Sequence, residues 1–95
     1  MTSYGEGERV FGPPQGSYDA DWVAAAARVQ DPGLPEETAR ELAVYAWDHL
    51  RSIGRLDAPE VARRLLVDHP QAGASPAAVV AKAAVDFCQA YGVEL

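Results

Sequence analysis

Cysteine is almost missing from this chain of 95 residues: Cys88 stands alone, so no disulfide can close within it. Long apolar runs are missing as well. No stretch reaches the roughly 18 consecutive apolar residues a bilayer-spanning helix needs, so no membrane partner is expected. The first 17 residues have neither a basic start nor an apolar run, which excludes a signal peptide as the reading of that segment. Together these absences make a reducing cytoplasm the expected address. Positive charge is scarce: eight Lys and Arg face 14 Asp and Glu, a net charge of −6. That balance opposes nucleic acid, whose affinity rests largely on phosphate neutralisation, and it opposes anionic membranes too. The deficit is uneven. Residues 1–48 hold the whole excess of acid, and residues 49–95 are neutral.

Recognisable chemical motifs are also lacking. His49, His69, Asp48, Asp68 and Cys88 are the conceivable metal ligands, yet no HxxxH, HxxE or CxxC spacing joins them. Neighbouring Asp and His on a helix point about 100° apart, so each pair offers one ligand at most. Cys88 falls beside an apolar helix face, where a thiol ordinarily packs. The glycines Gly5, Gly7, Gly12 and Gly16 carry no GxxxxGK signature and follow no strand, so no nucleotide or other cofactor is expected. A thin helical bundle leaves little room for a pocket of about 300 Å³, which argues against an enzyme.

What the chain has in plenty is alanine, 18 of its 46 apolar residues. Alanine favours helix over every other residue but adds little burial, so a helical domain with a modest stability margin is expected. Period-two alternation is nowhere sustained, so no sheet is expected. The fold class read from these patterns is all-α: a small four-helix, bundle-like domain over residues 18–95, with three main helices and a shorter first one. A Gly/Pro-rich arm, residues 1–17, precedes it; Tyr4, Val10 and Phe11 suggest that this arm docks on something.

The first helix is expected to start after Asp19 as N-cap, with Trp22, Ala26 and Val29 facing the core, and to end at Asp31-Pro32-Gly33. The second opens at Leu34-Pro35-Glu36-Glu37 and presents Ala39, Leu42, Ala43, Ala46, Leu50 and Ile53 inward before Gly54 stops it. Tyr45, Trp47 and His49 flank that stripe. Asp57 and Glu60 have capping-box spacing and open the third helix, whose Val61, Ala62, Leu65 and Leu66 turn inward. Ser75 as N-cap and Pro76 at the first position are expected to open the fourth, with Val79, Val80, Ala83, Ala84, Phe87 and Tyr91 on its apolar face.

Two surface features remain. Val44, Val67 and Val85 fall outside the core stripes, and Tyr45 and Trp47 lie at a boundary. An aromatic grouped with exposed apolar residues forms a patch that favours a partner. On this basis the expected function is a non-enzymatic protein-interaction module, with Val44, Tyr45, Trp47 and Val67 as interface and a second copy or another protein as partner. The alternative rests on Arg51, Arg55, Arg63 and Arg64, which bracket a helix–turn–helix layout of the kind that reads DNA. Asp57, Glu60 and Asp68 dilute that cluster, and Ala58, Pro59 and Glu60 are poor base readers, so nucleic acid is the less favoured partner.

Overall fold

The computed structural model describes residues 17–95, so the expected arm lies outside the described residues apart from Ser17. The rest of the chain forms four α-helices: α1 (Ala20–Gln30), α2 (Glu36–Ile53), α3 (Ala58–Asp68) and α4 (Ala74–Tyr91). A single 3-10 turn, Pro70–Ala72, joins the last two, and no strand occurs among the described residues. The all-α expectation holds. The third helix is as short as the first, each 11 residues against 18 for α2 and α4.

Local chemistry accounts for most of the boundaries. The Asp19 carboxylate accepts from the amides of Asp21 and Trp22, closing the open end of α1 as expected. Pro35 caps α2 without a side-chain bond, and Glu36 and Glu37 supply negative charge to the positive end of its dipole. Gly54 ends that helix in the left-handed region, with φ 81°, a conformation that side chains other than hydrogen disfavour. Only half of the expected capping box forms at α3. Asp57 accepts from the Glu60 amide, but the Glu60 carboxylate turns away to two arginines.

The start of α4 departs from expectation. Its N-cap is Gly73, and Ser75 and Pro76 sit inside the first turn. The 3-10 turn brings the chain into helical geometry early, so the serine has no end left to cap.

The long helices α2 and α4 pack on each other, and each also packs on α1 and on α3, whereas α1 and α3 barely meet. The short helices therefore lie across the α2–α4 pair from one another. The core is formed by Val23, Leu42, Leu50, Val61, Leu65, Val80, Phe87 and many alanines, and no polar or charged residue is buried among the described residues. Leu34 is buried from the α1–α2 loop, where its amide donates to Asp31 and its carbonyl accepts from Arg28.

One helix presents a different face from the one expected. In α1 the core takes Val23, Ala24 and Ala27, while Trp22 is 37 % exposed and Val29 is 76 % exposed. Another residue is displaced the opposite way: Val85, expected outside, is 7 % exposed and belongs to the core. Because α4 touches all three other helices, it buries a wider arc than one stripe.

Candidate functional site

The expected interface residues do not form one surface. At about 100° per residue, Tyr45 and Trp47 diverge by about 200° around α2 and flank the core on opposite sides. Tyr45 faces the end of α3, its ring centroid 4.6 Å from that of His69. Trp47 faces the side of α1 and stacks on Tyr18, with centroids 4.8 Å apart and planes at 13°. Tyr18 also meets Phe87 edge-on and donates a 2.7 Å hydrogen bond to the Ala43 carbonyl. Burial pushes the Tyr18 hydroxyl far above its ordinary titration range. Trp47 is thus half covered by the segment that enters the domain. Val44 is exposed on the outer side of α2, and Val67 is exposed on α3 beside His49 and Asp68.

The arginines of the second patch are largely engaged. Arg63 forks onto both oxygens of Glu60, Arg64 donates Nε to one of them, and Arg55 bonds Asp57 at 3.1 Å. Glu60 and Arg64 stand four residues apart on α3, a spacing that sets such pairs on one helix face. Arg64 also reaches the Ser52 hydroxyl, and Arg51 lies 5.7 Å over the Trp47 ring. Two guanidiniums hold the Glu60 carboxyl down at about 2. The cluster therefore presents less free positive charge than its four arginines imply.

The metal-ligand residues are equally dispersed. His49 pairs with Asp68 at 2.9 Å, His69 packs on Tyr45, Asp48 is exposed, and Cys88 is in the core. No three such residues converge among the described residues. Burial pushes the Cys88 thiol up to about 11, away from the thiolate a nucleophile needs.

The expectation of little room for a pocket of about 300 Å³ is corrected by the structure. A cleft of about 340 Å³ opens between the α1–α2 loop, the start of α2 and the 3-10 turn, with Asp31, Thr38, Glu41, His69 and Gln71 as its polar lining. The turn and the loop hold the helix ends apart, a separation that idealised straight rods would lack. Among the described residues His69 Nε2 has no hydrogen-bond partner, and it is fully buried, so the cleft does not expose it to a ligand.

A second cleft, of about 300 Å³, has an apolar floor. It lies between α1 and α4 and is lined by Trp22, Ala26 and Val79, with Gln30, Lys82 and Asp86 at its rim. It continues over the outside of α1 across Ala25 to Val29. Trp22 anchors one end, its ring 5.1 Å from Phe87 and 5.7 Å from Tyr91. Trp22, Ala25, Ala26 and Val29 recur at i, i+3, i+4 and i+7, which marks one apolar face of a helix. Part of this pattern, Trp22, Ala26 and Val29, was expected in the core. Ala20, Val23, Ala24 and Ala27 repeat the same spacing two residues earlier, and the core took that set. The helix α1 therefore carries two apolar faces, and the described residues cover the second only in part, Ala26 being half-buried against the core. No protein family, characterised protein or solved structure matches this chain.

Proposed function

We propose that this chain is a non-enzymatic protein-interaction module whose docking face is the outer stripe of α1 together with the groove between α1 and α4. The observation that carries this reading is the apolar face Trp22, Ala25, Ala26 and Val29, which the described residues leave largely open and which is continuous with Val79 and Ala83. A helix with one apolar face satisfies it by joining the domain; a second such face is left for another molecule. Trp22 has the profile of an interface anchor, a large ring held on one edge by Phe87 and Tyr91 and open on the other. The anchors thus move from Tyr45 and Trp47 on α2 to Trp22 and Val29 on α1.

The alternative, DNA binding through Arg51, Arg55, Arg63 and Arg64, has weaker support, because three of these four side chains already contact carboxylates. A photo-crosslinking residue in place of Val29, introduced into the full chain in its native cells, tests the docking face. A discrete covalent adduct is expected there and none from the same residue at Val67. Equal or absent adducts at both positions would reject the assignment of the face.

A further inference from the structure

The apolar stripe on α1 has a symmetry that narrows the choice of partner. Trp22 and Val29 lie equally far from the midpoint between Ala25 and Ala26 along the helix. A second α1 laid antiparallel about a two-fold axis through that midpoint sets each Trp22 against the partner's Val29. It sets the small Ala25 and Ala26 against each other, where two helix backbones can approach closely. Large meets small at the ends of the contact, and no charged residue falls on the stripe itself.

The flanking charges obey the same axis. On the α2 side, Asp21 and Arg28 share one flank of α1, and inversion of the helix brings Asp21 to within about one turn of the partner's Arg28. On the other side, α4 runs antiparallel to α1, since Trp22 at the start of α1 meets Phe87 and Tyr91 near the end of α4. The groove, lined by Trp22, Ala26 and Gln30 of α1 and by Val79, Lys82, Ala83 and Asp86 of α4, puts the stripe's midpoint level with about residue 83 of α4. Lys82 and Asp86, both on the rim of the groove and 2.8 Å apart in one copy, straddle that level. The two-fold axis therefore sets Lys82 opposite the partner's Asp86 and Asp86 opposite the partner's Lys82. Four charges of alternating sign close one flank of the contact; on the other flank Asp21 already pairs with Arg40 and Arg28 Nε already donates to the Leu34 carbonyl, each at 2.9 Å, so a reciprocal acid–arginine contact there adds to those bonds rather than replacing them. Each copy carries a net charge of −6, which opposes approach. That repulsion is screened beyond about 8 Å at physiological ionic strength.

We infer that the face of α1 binds a second copy of this chain, forming an antiparallel, two-fold symmetric dimer in which Trp22 packs against the partner's Val29 and the Lys82–Asp86 pairs of both copies interlock. An isologous contact requires the same patch to complement itself, and apolar stripe, small centre and charged flanks all meet that requirement about one axis. The inference rests on the docking face proposed above and names its occupant.

Sedimentation equilibrium of the full chain tests it. The mass is expected to rise with concentration from 10.2 kDa to twice that value. Val29→Asp, with its helical dichroism unchanged, is expected to weaken association by at least about tenfold, since it buries a charge at the end of the contact. Lys82→Glu and Asp86→Lys each set like charges across the axis and are expected to be monomeric alone. An equimolar mixture of these two variants restores every opposite-sign pair between copies, so it is expected to dimerise. The mixture separates contact between copies from the pairing within one helix, which mixing cannot repair. Ala25→Cys near the axis is expected to form an oxidised dimer faster than Val67→Cys, exposed on α3 across the α2–α4 pair. A wild-type chain that stays monomeric, or two single variants that stay monomeric when mixed, would overturn the dimer. If Val29 then crosslinks to a different protein in cells, the docking face stands and its occupant is another chain. Absence of both dimer and adduct removes the face as well.

Discussion

Tyr18 shows how much one residue at the entrance of a small domain can hold together. Its ring is stacked on Trp47 and set edge-on to Phe87, which ties α2 to α4 before the first helix has begun. Its hydroxyl donates to the carbonyl of Ala43, a contact 25 residues away in sequence. Tyr18→Phe retains both ring contacts and removes the hydrogen bond alone. The variant is expected to lose about 1 kcal/mol, the usual net worth of such a bond, with the slope of urea unfolding unchanged. An unaltered midpoint would show that the bond contributes nothing beyond what water returns. The aromatic character of Tyr18 is plain in the sequence, but its pairing with Trp47 is not, because that contact depends on where α2 passes relative to the entering chain.

At the scale of elements, α3 depends most openly on charge. Its exposed side is organised by Glu60, which caps no amide with its carboxylate and instead gathers Arg63 and Arg64. Those two cations lower the Glu60 carboxyl from 4.5 to about 2. A carboxyl depressed in the folded state contributes stability that is fully present above its unfolded value and is lost as the pH falls through the folded one. Thermal melting followed by dichroism should therefore show a contribution that disappears between pH 4.5 and about 2. Glu60→Gln is expected to flatten that part of the profile while leaving the other carboxylates to titrate; a profile superimposable on the wild type would deny the triad any role. The start of α3 was legible because an aspartate before a proline-containing first turn has few other uses. The start of α4 was not, because Ser75 and Pro76 fit a capped helix equally well. The choice fell to the 3-10 turn at Pro70–Ala72, which set the direction of entry.

At the scale of the whole molecule, the distribution of charge bears on the partner. Net charge is −6, and the one cluster of arginines is mostly occupied by Asp57 and Glu60. No retardation of random duplex DNA is expected in a gel-shift titration, even at about 50 mM salt, where phosphate contacts are strong. Retardation that fades steeply with added salt would return the arginines to consideration. Among the described residues no helix is long and apolar enough to cross a membrane. The arrangement of the helices also explains the exposed groove: among the described residues α1 and α3 flank the α2–α4 pair and barely meet, so each short helix keeps one side open.

The sequence by itself determined the helices: their number, their approximate ends, and the inward faces of α2 and of most of α3. Those properties follow from local rules, namely helix propensity, caps, breakers and a stripe repeating every three to four residues. Tertiary structure alone decided which of two identical patterns on α1 became core. Both Ala20-Val23-Ala24-Ala27 and Trp22-Ala25-Ala26-Val29 satisfy the same spacing, and the sequence-level expectation followed the one with the larger side chains. The small set won because α1 lies against two long helices whose backbones approach closely, and alanines admit that approach while a buried tryptophan would force them apart. Close packing against neighbours, which one-dimensional periodicity does not contain, turned the larger set outward and made it available to a partner.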